Sequence, residues 1–518
     1  MGPLAHLLFA LAIVAADETG LGTLLDAPLG SLALLPLPHL LSGLAGRVAI
    51  RGHFGASQVL TRVAGAFPVL GQWIAVSVFG WHQGVLRWLE QPALLADWPH
   101  VGLLLSLAPF VVLEVLSIDA RARLDGRPLE RTRTRSFRLR IFAASGFPLI
   151  VYLLGSTLLG ASPRAQAYLL HVGLVGGAGL VVLVATLALS FPFALRFIWE
   201  TSPLRGRGLD LHRHVLDTVS SAAGFRCREL RLWHTGGQVA NAAIVGFLPG
   251  QRFVFFSDLL LAQLGPRELA AVFAHEIGHA RRHHVAIFAC WTVAFFGGVD
   301  LVLVELDELS EGALLAVFAG FFVGWYLVFG YLSRRFELDA DLCSVEIAGD
   351  AGALVSAFDR ISGAAHSTKG SWRHFSPARR IQFLSALQAD PGTGIRLRRR
   401  LRLWSALGLA LFTVVGAVQL RRGWTELPED RVVAELALGE YPRAAQLARD
   451  GGDAVDPDLA ALAVRAEALV VPVDWVALVR SAFESGDEEA LRGWIDLAGL
   501  RGREAFESVQ EALRALGT

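Results

Sequence analysis

Apolar residues run along this chain in blocks long enough to cross a bilayer, separated by short polar loops. The blocks fall at residues 27–46, 63–81, 99–117, 141–160, 168–190, 285–305, 313–332 and 403–420, with a shorter one at 3–16. A hydrocarbon core is spanned by roughly 20 apolar residues in a helix, so the pattern predicts about nine spans, counting the first. The 3–16 run has no basic leading segment and no convincing small-residue cleavage site, which favours a short or partly inserted helix over a cleaved signal peptide. The organisation expected is a mostly α, multispanning helical membrane protein. Residues 1–199 carry the N-terminal spans, 200–402 form a domain with two inserted spans (285–305 and 313–332), 403–420 span once more, and 424–518 form a helical tail.

Composition strengthens this picture: 53% of residues are hydrophobic, 18% are charged, and the mean hydropathy is +0.48, more apolar than a soluble core requires. The formal net charge is zero, so no global basic field points to nucleic acid. Arginine is concentrated in particular loops, above all IDARARLDGRPLERTRTRSFRLR (118–140) and RLRRRLR (396–402), whereas DETGLGTLLD (17–26) and LDELSEG (306–312) are acidic. Because cytoplasmic loops carry the Lys/Arg excess, the arginine-rich loops and residues 200–284 and 333–402 are expected in the cytoplasm, with binding of anionic lipid head groups the competing reading of the basic loops. Cys227, Cys290 and Cys343 share no metal-ligand spacing and are expected to be unpaired thiols. GLVGGAG (173–179) lies inside an apolar run, so close helix packing through small residues outweighs phosphate binding.

The chemistry is concentrated in AVFAHEIGHARRHH (271–284). His275 and His279, four apart on a helix, share a face and can reach one ion, with Glu276 beside them as a base. A catalytic zinc needs a third protein ligand and an open position, so a further ligand is expected elsewhere. Downstream, SRRFELDADLC (333–343) reads as a helix with Glu337 and Asp341 four apart. Packed core histidines and ordinary solvated acids are the bland alternatives. His283 and His284, beside Arg281 and Arg282 at the approach to a span, read by default as interfacial residues. The helix is expected to run straight through RRHH into that span.

HEIGH followed by a distant E-x-x-A-D resembles the gluzincin metallopeptidases that include the HtpX heat-shock peptidases and the type 1 CAAX prenyl endopeptidase. The resemblance implies that one zinc ion per chain is held by His275, His279 and Glu337, with Asp341 supporting a ligand histidine. QVANAAIVGFLPGQRFVFFSDLLL (238–261) resembles the family's N-A-x-x-x-G strand, with Asn241, Ala242 and Gly246 in place, followed by a turn, a second strand and the helix into HEIGH. It makes 200–402 an α+β metallopeptidase domain in which Asn241, Ala242 and Gly246 bind substrate, an extended peptide pairing at an edge strand. His284 sits where the prenyl endopeptidase carries a histidine. HFSPARRI (374–381) resembles the signature near the domain's end, implying catalytic donors in His374 and Arg380, with Phe375 in the place of the usual proline. The resemblance covers about residues 200–390.

The function expected is therefore a membrane zinc endopeptidase cutting membrane or lipid-anchored proteins at the cytoplasmic face of a bacterial inner membrane, in quality control or processing. Zinc polarises the scissile carbonyl and acidifies water, and Glu276 moves the proton. RVVAELALGEYPRAAQLARDGG (431–452) and LVRSAFESGDEEALRGWIDLAG (478–499) read as helical repeats resembling tetratricopeptide repeats, suited to a protein partner. Two alternatives stay open. One is a catalytically silent receptor or scaffold working through this tail; the other is a zinc transporter, disfavoured because the ligand motifs flank the spans without lining them.

Overall fold

The computed structural model describes residues 24–25, 27–90, 99–123, 128–160, 162–206, 208–305, 311–362, 372–469 and 472–516, with isolated positions between 7 and 14. Among these, seven helical stretches are long and apolar enough to cross a bilayer: Pro28–Ile50, Ala56–Val78, Leu129–Thr157, Gly173–Ile198, His284–Val302, Ala316–Ala348 and Gly392–Leu438. Seven of the nine expected blocks are thus found. The block at 3–16 lies largely outside the described residues.

The block at 99–117 is a correction. It is broken into two helices, Pro99–Ser106 and Ala108–Ala122, which meet at Leu107. Pro109 has no N–H to donate and its ring crowds the preceding turn, so the carbonyls of Leu105 and Ser106 lose their helical partners. Two side chains replace them: Trp81 Nε1 donates to the Leu105 carbonyl at 2.8 Å, and Gln72 Nε2 donates to the Ser106 carbonyl at 2.9 Å. The Gln72 amide oxygen in turn accepts from the Phe110 N–H at 3.0 Å. The apolar run is therefore two helices joined at Leu107, where Leu107 N–H still donates to Leu103 and Val111 N–H to the Leu107 carbonyl, and not one continuous helix.

The described chain forms two compact units, Met1–Leu153 with Thr186–Phe412, and Leu154–Ala185 with Thr413–Thr518. The first contains a four-stranded sheet of β1 (Thr201–Pro203), β2 (Glu229–Trp233), β3 (Ala242–Val245) and β4 (Phe253–Ser257), in the order β1-β2-β4-β3. β2 and β4 are parallel and the two outer pairings antiparallel, so β3 is an edge strand. β4, FVFFS, is buried throughout because both faces of the sheet are covered. Val254 and Phe256 face a core with Leu269, Phe273 and Ile277, while Phe253 and Phe255 face Ala144 and Leu195 of the flanking apolar helices.

Four helices of this unit position the site: α1 (Pro266–Arg281), α2 (His284–Glu305), α3 (Glu311–Ala348) and α4 (Pro377–Ala389). Pro266 occupies the first turn of α1, where a missing N–H costs nothing. α1 and α3 form the most extensive helix pair among the described residues. They approach closely because Gly278 has no side chain: a Cβ there would lie 3.0 Å from Ala340 Cα and 3.0 Å from Cys343 Cβ. Ser344 Oγ donates to the Ala271 carbonyl at 2.6 Å, tying the same pair two turns earlier on α1.

The expectation of one straight helix through RRHH is overturned. α1 ends at Arg281, His283 takes a left-handed backbone with φ 54°, and α2 starts anew at His284. Cys227, Cys290 and Cys343 are free thiols, as expected.

The helix that begins at Gly392 in the first unit runs unbroken to Leu438, and its residues from Thr413 belong to the second unit, where five shorter helices follow between Tyr441 and Ala515. Their core holds Val432, Leu436, Tyr441, Trp494 and Leu497 with a seam of small residues, Ala444, Ala448, Ala463 and Ala466. Glu435 is buried in this unit and is paired with Arg164 at 3.3 Å, Arg443 at 3.0 Å and the Tyr168 hydroxyl at 2.8 Å. GLVGGAG is helical, and Cβ atoms at Gly176 and Gly179 would lie 2.7 and 2.6 Å from Leu169, the close packing that the sequence implied.

Gly246 closes the turn between β3 and β4 at φ 114°, where a Cβ would lie 2.5 Å from the Gln251 carbonyl oxygen. Gly246→Ala is expected to destabilise the protein by about 1–3 kcal/mol, read as a fall in thermal unfolding temperature. An unchanged midpoint would contradict this assignment.

Candidate metal centre

His275 and His279 occupy one face of α1, and Glu337 on α3 faces them. Their ligand atoms lie within 4.8 Å of one another. His275 Nε2 and His279 Nε2 are 3.2 Å apart, and the Glu337 carboxylate oxygens lie 3.8 Å from the first and 3.6 Å from the second. Tetrahedral zinc with bonds of about 2.0–2.1 Å sets its donors about 3.3 Å apart, so two imidazoles and one carboxylate here match zinc in number, type and spacing.

Each histidine is held from behind. His275 donates Nδ1–H to Asp341 Oδ1 at 2.9 Å, which leaves Nε2 unprotonated and aimed at the ion position. Asp341 is fully buried and is gripped by Arg380, whose Nε donates to Oδ2 at 2.8 Å and whose terminal nitrogen donates to Oδ1. Arg380 also reaches Glu337 Oε2 at 3.3 Å and lies over the Phe358 ring at 4.3 Å.

His279 has an equivalent support that the sequence reading missed. Its Nδ1 lies 3.0 Å from His284 Nδ1, and His284 Nε2 lies 3.3 Å from Asp339 Oδ2. A single tautomer chain satisfies all three groups: His279 donates to His284, and His284 donates to Asp339. Arg398 then holds Asp339 at 3.1 Å. His284 is buried and stacked on Phe336 at 4.1 Å, so its default reading as an interfacial residue is corrected. On an unbroken helix, residues five apart sit about 140° apart around the axis and cannot touch. The break at His283 is what returns His284 to His279. The signal available in the sequence was the middle acid of ELDAD, Asp339, but nothing in one dimension linked it to a histidine 55 positions away.

His275, His279, Glu337 and Glu276 line a cavity of about 580 Å³ together with Asn241, Ala242, His374 and Arg380. Gly246 is not among its lining residues; the structure assigns it to the turn at the end of β3. Asn241 precedes the edge strand and is fixed there by Ser257, whose Oγ accepts the Asn241 N–H at 2.9 Å while also capping the helix that follows β4. Ser376 caps α4 and Pro377 follows it, so the Phe375 departure leaves the turn intact, and Phe375 sits between Arg334 and Arg379. His374 Nδ1 reaches Glu337 Oε1 at 3.3 Å with its ring half exposed. Trp372, also missed, anchors this segment by stacking on Tyr326 at 4.2 Å and donating Nε1–H to the Tyr326 carbonyl at 3.0 Å.

Burial pushes the Glu276 carboxyl up to about 7, with Glu337 adding to it against the pull of His275 and Arg380. Burial and the neighbouring His275 and His284 push His279 down to about 3, which keeps the ring neutral and able to ligate. Arg380 pays a burial penalty but is held above its ordinary value by Asp341 and Glu337.

The site joins the two histidines of an HExxH sequence to a glutamate from a second helix, three donors that could hold a metal ion. Residues 207–388 match the family model described as Peptidase family M48, and the family resemblance drawn from the motifs holds for this segment. Protease HtpX homolog 1 of Streptomyces coelicolor is 31% identical over 173 residues, covering 30% of this chain and 56% of that protein. Protease HtpX of Chromohalobacter salexigens is 30% identical over 170 residues, covering 29% and 56%. The crystal structure of S. mikatae Ste24p overlays with a TM-score of 0.41 at 13% identity, covering 72% of this chain and 98% of that one. The chain spans about half the length of the curated relatives it matches. With seven apolar helices of spanning length, it is an integral membrane protein.

His284→Ala removes the group that orients His279. Zinc affinity, measured by chelator competition, is expected to fall about 10–100-fold. Unchanged affinity would make the His279–His284 contact incidental.

Proposed function

We propose that the protein is a zinc endopeptidase of the membrane, hydrolysing peptide bonds of membrane or lipid-anchored proteins at its cytoplasmic face. The observation that carries this reading is Glu276, which stands beside the His275–His279–Glu337 triangle in the cavity and ligates nothing. A purely structural metal site has no use for such a carboxylate.

Supporting observations follow the path of a substrate. β3 is an edge strand, so an extended peptide can add to it and lie past Asn241 and Ala242 in the cavity wall. Zinc, when bound, supplies a Lewis acid for the scissile carbonyl and makes water acidic enough to react at neutral pH. Glu276 accepts the proton that water loses as its oxygen bonds to the carbonyl carbon, and returns that proton to the amine as the C–N bond breaks. A carboxyl near pH 7 is suited to both transfers. We assign His374, in the cavity lining, as the donor to the developing oxyanion. Arg380, expected as a second donor, spends its N–H groups on Asp341 and Glu337, and we assign it to positioning them.

Substrate class rests on tethering. α2 starts after a two-residue break from α1, and α3 carries Glu337 in the same continuous helix as its apolar first part. Both ligand segments are thereby held against a bilayer, which favours substrates in or anchored to it, in quality control or in processing. The arginine excess in 118–140 and 396–402 supports the cytoplasmic face of a bacterial inner membrane. The helices beyond Leu438 suit a protein partner, in the manner of helical repeats.

The test is cleavage by the detergent-purified full chain of an unfolded membrane protein and of a prenylated CAAX peptide, with Glu276→Gln as the comparison. The variant is expected to keep its zinc and lose about 10²–10⁴-fold in rate. The substrate that is cut chooses between quality control and prenyl processing. Inactivity of the zinc-loaded wild type on both would favour a receptor role instead.

A further inference from the structure

A second cavity of about 430 Å³ has His284 in its lining and none of His275, His279 and Glu337. Four arginines line it, Arg281 and Arg282 at the end of α1 and Arg398 and Arg402 on the helix that begins at Gly392, against one lining acid, Asp339. Arg282 and Arg398 are engaged: Arg282 lies 3.9 Å from Asp339 and 3.8 Å from Glu346, and Arg398 lies 3.1 Å from Asp339. Arg281 and Arg402 are exposed and make no side-chain hydrogen bond or ion pair among the described residues. The cavity thus keeps two uncompensated guanidinium groups, and the start of α2 adds the positive end of a helix dipole.

The rest of the lining is apolar. Ile287 sits one turn into α2, Leu401 immediately precedes the apolar run 403–420, and Phe336 closes the inner wall. Both contributing helices are of spanning length, so the cationic part of the cavity lies where the chain enters the apolar layer. A soluble anion would use the arginines and leave this apolar wall without a partner. A phospholipid matches both halves, its phosphodiester on the guanidinium groups and its glycerol and first methylenes along Ile287 and Leu401. His283, the one non-glycine residue with positive φ among those described, forms part of this wall.

We propose that this cavity binds the head group of an anionic phospholipid. The inference is independent of the peptidase reading. The cavity and the candidate metal centre have His284 in common, which lines the first and contacts His279 in the second.

The test is native mass spectrometry of the full chain titrated with phosphatidylglycerol and with phosphatidylcholine. Phosphatidylglycerol is expected to be retained in preference. The double variant R281Q/R402Q is expected to bind it about tenfold more weakly, at unchanged zinc content. R396Q, on the same helix but bonded to Asp390 and outside the cavity, is expected to bind as wild type. Wild-type binding by R281Q/R402Q overturns the proposal, as does an equal loss in R396Q, which would mark a diffuse basic surface. Displacement of phosphatidylglycerol by inorganic phosphate at matched concentration overturns it as well, in favour of a free-anion site. If the double variant loses its zinc, the single variant R402Q is read by the same criteria.

Discussion

The close approach of two helices at Gly278 and Ala340 governs this molecule's chemistry. A zinc ion tolerates only a few tenths of an ångström in the placement of its donors, and the candidate donors here come from helices separated in sequence by α2 and by the apolar first part of α3. Packing at Gly278 brings the α1 and α3 backbones near enough for Glu337 to meet His275 and His279. Interiors are dense and respond to volume changes of a single methylene, so a contact of this kind transmits its geometry directly to the ligands. The glycine in HEIGH is therefore a spacing device as well as part of a motif.

Around that contact the site is braced twice. His275 is backed by Asp341 and Arg380, and His279 by His284, Asp339 and Arg398. Both braces run from imidazole to carboxylate to guanidinium, and both carboxylates come from α3, two residues apart. In a buried site an unpaired carboxylate costs far more than a paired one gains, which explains why each acid is held by an arginine from a third helix. α4 and the helix starting at Gly392 thus serve the metal centre without contributing a ligand.

The same rule of satisfied polar groups appears in the apolar helices. Where Pro109 breaks a helix, Gln72 and Trp81 replace the missing backbone bonds, so the carbonyls that the proline leaves free are satisfied within the protein. In the second unit Glu435 is buried only in company with Arg164, Arg443 and Tyr168.

Much of this was written in one dimension. Apolar length announces a spanning helix whatever it packs against, so seven of the blocks were legible, and i,i+4 spacing puts His275 and His279 on one face in any helix. The distant glutamate was legible only through a family motif. What the sequence left open depends on contacts between segments far apart in the chain. The break at 99–117 followed from one proline whose cost was offset by side chains 24 and 34 residues earlier. The role of His284 depended on a single backbone reversal at His283, and the assignment of Arg380 depended on which carboxylates stood within reach. Periodicity and spacing are local and survive in the sequence; the pairing of buried charges is a property of three-dimensional neighbours, and only the tertiary structure decides it.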